Sequence, residues 1–247
     1  MKAASNQLVS RFLLAGLCSM VLLTACDPFE KQRAEQAEKT RIECLDKICT
    51  GDKPPPRPPG QVVFKLNGQW FTGPNEYGSP SLGAIAFYWP SKAAHGDPDA
   101  VKQAPEVVFN PNGSVSNFSD IAIELFLRHH DGVTYGPNRI DLLEQARVEG
   151  RLVSKTTIRP GLEAWRIKEE GGLDPGIWYV ATNFVAQAPN AAVLWCRDSN
   201  PKFDRCTTAA RWAPGIAWDT RFRAKHAQDW PEIFQEINRV LSLLKGA

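Results

Sequence analysis

Apolar residues follow three different patterns along the chain. From Phe12 to Ala25 they are continuous, "FLLAGLCSMVLLTA", an uncharged run of 14 residues. From Gln61 onward they form short runs bounded by turn residues. At the end they recur at 3.6-residue spacing, with Trp230, Ile233, Phe234, Ile237, Val240, Leu241 and Leu244 on one stripe. The middle pattern predicts strands. In "VVFKLNGQWFTG" the dipeptide Asn67-Gly68 separates two β-prone runs, a strong signal for a hairpin. Further strands are expected at "IAFYWP" (Ile85 to Pro90) and "IAIELFLR" (Ile121 to Arg128). "RLVSKTTI", "LEAWRIK" and "IWYVATNFV" read as antiparallel strands joined at Arg159-Pro160-Gly161 and at Gly171 to Gly176. "AVLWC" and "CTTAARW" read as another hairpin, and "IAWDTRFRAK" as a last strand. "SKAAHGDPDAVKQAPE" and "NPNGSVSNFS" carry only loop signals.

Two helices stand out from Asn138 onward. "NRIDLLEQARVEG" fits a short one, capped by Asn138, burying Ile140, Leu143 and Ala146, with Gly150 past its end. The last begins at an Asp229 cap with Glu232 three residues on, and Gly246 stands where its stop is expected. A stripe that continuous needs a sheet to lie on. The expected fold is α+β, a mainly antiparallel sheet with the C-terminal amphipathic helix packed on one face and the helices segregated to that side.

The continuous run has another use. As a helix its 14 residues would extend about 21 Å, against a hydrocarbon core of about 30 Å, too short for a comfortable span. Behind a start carrying Lys2 and Arg11, it reads as the core of a signal peptide over residues 1–25. Leu23-Thr24-Ala25-Cys26 resembles the lipobox of bacterial lipoproteins. That resemblance implies cleavage before Cys26 and acylation of it, which anchors the chain to a membrane; several acyl chains hold far longer than one. Asp27 resembles the inner-membrane retention signal of enteric lipoproteins, so the expected address is the periplasmic side of the inner rather than the outer membrane.

Asp27, Pro28 and Glu30 also open a charged helix, in the stretch 26–52, whose only apolar stripe is Ile42, Leu45, Ile48 and Cys49. "KPPPRPPG" (residues 53–60) follows as a stiff extended spacer or a surface strap, and residues 61–247 are the globular domain.

The 247-residue chain has 29 basic and 27 acidic residues; without Lys2 and Arg11 the two signs balance, which gives a nucleic-acid role no support. Of six cysteines, Cys18 leaves with the signal and Cys26 is acylated. Cys44, Cys49, Cys196 and Cys206 remain, an even number in an exported protein, which favours disulfides. Pairing neighbours in sequence is the simplest of three connectivities. A four-cysteine zinc site is the alternative, but its spacings are loose here.

Catalytic signatures are not found. There is no G-x-S-x-G, S-x-x-K or P-loop, and "GSPSLG" around Ser79 and Ser81 has loop composition. His129, His130 and Asp131 end a strand; adjacent strand residues point to opposite faces, so the two histidines do not converge on one metal. Glu169-Glu170 and Asp97 with Asp99 lie in turns. The reading is of a protein that is not an enzyme, with no cofactor, no metal and no catalytic residue.

Eight tryptophans fall between Trp70 and Trp230. Trp89, Trp165, Trp178, Trp195 and Trp230 sit within apolar segments and read as core. Trp212 and Trp218 flank Pro214-Gly215 and are the candidates for a partner surface. "CDPFEKQRAEQAEKTRIECLDKIC", "LNGQW", "TIRPGLEAW" and "DWPEIFQEINRVLSLLK" together resemble proteobacterial periplasmic lipoproteins that serve as immunity proteins against type VI secretion effectors, including phospholipases. The resemblance implies a lipid-anchored binding protein that blocks a toxin effector. The alternative is an accessory structural subunit of a cell-envelope assembly. The expected partners are the membrane, through Cys26, and a protein.

Overall fold

The computed structural model describes residues 53–79, 84–129, 139–168, 176–197 and 204–246. The chain divides into two compact units at Lys53/Pro54, and every described strand and helix belongs to the second. The signal, Cys26, Asp27, the charged helix, Cys44 and Cys49 lie outside the described residues, as do Asn138, His130, Asp131 and Glu169-Glu170.

The hairpin at Asn67-Gly68 is present. β1 (Gln61–Leu66) pairs antiparallel with β2 (Gln69–Pro74), and both turn residues have positive φ, 47° and 75°. An asparagine followed by glycine tolerates that conformation. The Pro-rich stretch is tied in at its end, where Gln61 N donates to Pro58 O and Asn75 N to Gly60 O.

Nine strands form the main sheet. They are β3 (Gly78–Ser79), β4 (Ala84–Tyr88), β5 (Ala122–His129), β6 (Leu152–Arg159), β7 (Leu162–Ile167), β8 (Gly176–Ala181), β9 (Val193–Cys196), β10 (Arg205–Ala213) and β11 (Ile216–Arg223). Their order is β3-β4-β5-β11-β10-β9-β8-β7-β6. Two meanders, one running β3 to β5 and one β6 to β11, thus meet at the β5·β11 pair, and each adjacent pair is antiparallel. The strand expected over "IWYVATNFV" ends at Ala181 and turns into a 3-10 helix at Thr182–Phe184.

Four helices accompany the sheet among the described residues: α1 (Pro98–Gln103), α2 (Phe118–Ile121), α3 (Arg139–Val148) and α4 (Trp230–Ser242). α1 falls in one of the two stretches where only loops are expected, and α2 spans the end of the other and Ile121, where the next strand is expected to begin but begins one residue later. α1 begins as helices ordinarily do, with the Asp97 side chain accepting from the Asp99 and Ala100 amides and Pro98 in the first turn.

α4 covers the first face of the sheet as its stripe predicts. Trp230, Ile233, Phe234, Ile237, Val240 and Leu241 are buried with Ile123, Leu125, Leu127, Cys196, Cys206, Trp218 and Phe222 of the strands. Trp230 is fully buried and its indole N–H donates to Ala192 O at 3.0 Å. Asp229 stands at the N-cap, yet its side chain makes no cap bond; it accepts from Trp89 Nε1 at 2.9 Å. The turn after β4 is held to the helix a second time, because Lys92 approaches the buried Glu236 carboxylate at 3.6 Å, beside Arg239. After Ser242 the chain does not simply stop at Gly246. Lys245–Gly246 form β12, which pairs with β2 and closes a three-stranded sheet of order β1-β2-β12. Gly73 leaves room for this, since a Cβ there would press on the end of the Leu244 side chain.

The other helices are not segregated with α4. The register places Trp165, Trp178, Val180 and Val193 on the second face of the sheet, and α3 covers them with Leu143 and Ala146. At the opposite end, Tyr88 and Ala122 of that same face lie under Val101, Ala104 and Ile121 from the α1 and α2 segment. Helices on both faces are required because apolar side chains stand on both faces at the two ends of the sheet.

Candidate protein-binding face

Between those two covered ends lies the middle of the second face, made by β5, β11 and β10. Period-2 alternation and the strand register put Glu124, Phe126 and Arg128 there from β5, with Ala217, Asp219, Arg221 and Arg223 from β11. β10 adds Arg205, Thr207, Ala209 and Arg211. One cross-strand row shows the change in character: Lys155, Trp165, Trp178, Trp195, Thr207, Arg221, Glu124 and Ala86 are consecutive partners. Three tryptophans in register give way to Thr207, Arg221 and Glu124 where α3 no longer covers the strands.

Arg128, Arg205, Arg211 and Arg221 are exposed; Glu124, Phe126, Thr207 and Asp219 are half-buried. Arg128 pairs with Asp219 at 2.6 Å. The Phe126 ring carries two guanidiniums, those of Arg128 and Arg221, each 5.9 Å from its centroid. Arg205, Arg211 and Arg221 have no ion-pair partner among the described residues. Burial pushes the Asp219 carboxyl above its ordinary pKa, and Arg128 and Arg221 pull against that shift.

A recess of ≈ 390 Å³ opens beside this stripe. Its floor is Ala84, Ala86 and Phe126, its walls are Phe118, His95 and Tyr77, and Glu124 stands among them. His95 packs edge-on to Phe118 at 4.8 Å and lies 5.7 Å from the Tyr88 ring. Burial lowers the His95 pKa, which favours a neutral imidazole. The recess is therefore mostly apolar, preformed by aromatic packing, and bordered by guanidiniums. That combination suits the capture of a protruding apolar side chain.

The residues singled out in the sequence fall elsewhere. Cys196 and Cys206 form a disulfide between β9 and β10, at paired positions on the first face. Trp218 is 3% exposed and stacks on Phe234 beneath α4, so it belongs to the core rather than to a partner surface. Trp212 is half-buried and packs on Phe71 at 5.2 Å, in the seam where the β1–β2 hairpin meets the β10–β11 hairpin; Asn67 Nδ2 donates to Pro214 O across it. Proximity to a turn marks a tryptophan as exposed only if no second hairpin docks on that turn, and here one does. Phe126 escapes that reasoning. Its signal is present in "IAIELFLR", where it is an aromatic residue at a position whose strand neighbours on the same face, Glu124 and Arg128, are charged.

No family model matches the chain, and no curated protein matches it. Among solved structures, an immunity protein of the Stenotrophomonas maltophilia type IV secretion system is similar to it, with 13% sequence identity and a TM-score of 0.46. The likeness covers 79% of this chain and 100% of that one. The system served by that protein is type IV, where the resemblance noted in the sequence is to proteins of type VI systems.

Proposed function

We propose that this is a lipid-anchored binding protein of the bacterial envelope, facing the periplasm and acting as an immunity protein that blocks a toxin effector. The observation that carries the reading is the preformed apolar recess beside an arginine-lined stretch of sheet that no described helix covers, a surface suited to a protein partner. The N-terminal signal and Cys26 supply the anchor in this reading, and Asp27 the choice of the inner membrane. Confinement to the membrane under attack would raise the inhibitor's effective concentration there.

Two measurements test it together. Cells lacking the protein are expected to be killed on contact with kin that retain the secretion system, and the Cys26→Ser protein, soluble and unanchored, is expected to recover the effector stoichiometrically from envelope extract. Recovery of components of one envelope machine, with no loss of survival in contact, would replace this reading with that of an accessory subunit.

A further inference from the structure

Resting on that reading, we infer that the partner segment is acidic, and that it seats one aromatic or long aliphatic side chain in the recess while its carboxylates lie on Arg221 and Arg205. Three observations on the second face lead there. The recess walls, Ala86, Phe118 and Phe126 among them, offer an occupant mainly carbon. Leaving aside Arg223, which Asp120 and Asp204 hold, the positions of β5, β11 and β10 left open by the described residues present four arginines, Arg128, Arg205, Arg211 and Arg221, against two carboxylates, of which Asp219 pairs with Arg128 and Glu124 is the cross-strand partner of Arg221. The excess positive charge is left for something else to neutralise. Finally, the Arg221 guanidinium lies over the Phe126 ring, which limits its rotamers before any partner arrives. A stacked guanidinium keeps its N–H groups in its own plane, available for two-point contact with a carboxylate at a smaller entropic cost.

A membrane of anionic lipid offers negative charge too. The half-buried Glu124 argues against it, since a phosphate brought to the mouth of the recess would meet that carboxylate. A polypeptide, by contrast, brings backbone N–H donors along with its acidic side chains, and can satisfy Glu124 and the arginines at once.

The test uses the full-length, anchored protein in cells, with the photo-cross-linker benzoylphenylalanine in place of Thr207, which lies between Arg221 and Trp195 in the cross-strand row. A second version carries it in place of the exposed Gln235 on the outer side of α4. The expected result is an adduct from position 207 to a protein peptide rich in Asp and Glu. The pair Arg205→Glu and Arg221→Glu should reduce it about tenfold or more, as reversing charge opposite carboxylates does. Both arginines are exposed, so the doubly substituted protein should still fold, melting only about a few degrees below the native protein because a carboxylate at position 221 stands opposite Glu124. An adduct to phospholipid, to a peptide with no acidic excess, or one indifferent to the charge reversal would overturn the inference. Capture of a protein from position 235 instead of 207 would overturn it too while leaving the function standing. Capture from neither would overturn both. Vesicles of phosphatidylglycerol, added to the purified Cys26→Ser protein, should not bind it; binding that the double charge reversal abolishes would assign the face to lipid.

Discussion

The two faces of the nine-stranded sheet are built by the same strands and end differently. On the first, α4 lays an apolar stripe over β4, β5, β11 and β10 as well as β9, and little but Thr208, Thr220 and the buried Glu236, paired with Lys92 and Arg239, interrupts the carbon. Even those hydroxyls are bonded, Thr208 to Val193 O at 2.7 Å and Thr220 to Glu124 O at 2.8 Å. On the second, separate segments cover the two ends and the centre carries arginines. The first face is given over to packing, and the second leaves charged positions open among the described residues.

That contrast predicts a hierarchy of effects. Trp230→Ala should be the most damaging, because it empties a fully buried site and leaves Ala192 O without its indole donor; a loss of about 3 to 5 kcal/mol in chemical denaturation is expected. On the other face the exposed Arg221, changed to the neutral Arg221→Gln, should stay within about 0.5 kcal/mol of the native protein. Comparable losses from the two would mean that the second face is as structural as the first.

Next comes the disulfide, which lies on the first face with both cysteines buried. Replacing the pair by Cys196→Ala and Cys206→Ala should lower stability by about 2 to 4 kcal/mol, and reducing the native protein should shift its unfolding similarly. If reduction leaves unfolding unchanged, the covalent link is not what holds β9 to β10.

The smallest effect expected is one of pH. Burial lowers the His226 pKa from its ordinary 6.5, while its ring nitrogen 2.8 Å from Asp120 O pulls the other way. As pH falls below about 6.5 the unfolded chain takes up this proton before the folded one does, so stability falls with pH from there down to the lower, folded value. Urea midpoints at pH 7.5 and pH 5 should therefore differ more for the native protein than for His226→Gln. Equal differences would show that the packing around Asp120 and the 3-10 turn at residues 224–229 does not disfavour the imidazolium.

Much of this architecture is legible in residues close together in the chain. Asn67-Gly68 sets a hairpin, the spacing from Trp230 to Leu241 sets a helix, and Cys196 and Cys206 face each other because the two strands they close are neighbours in sequence and in the sheet. α1 is not legible, since a recurring apolar spacing cannot be seen in six residues, although Asp97-Pro98 is a cap and start once the helix is known. The strand expected from Ile177 is too long for the opposite reason: β-prone residues continue through Phe184, but the chain must turn there to bring Ala191 and Ala192 under α4.

Local sequence dictates which segments become strands and helices and which side chains within each share a face, because alternation and 3.6-residue spacing are properties of the backbone over a few residues. Which face is covered, and where, is settled only when the chain has folded back on itself. Phe126 is half-open and Trp178 buried, though both are aromatic residues on the second face, because the helix at 139–148 returns over one end of the sheet and the segment at 98–121 over the other. Likewise Trp218 is buried against Phe234 and Trp212 half-covered by Phe71, residues far from them in the chain. Burial depends on what comes back to cover a side chain, and no local pattern encodes that return.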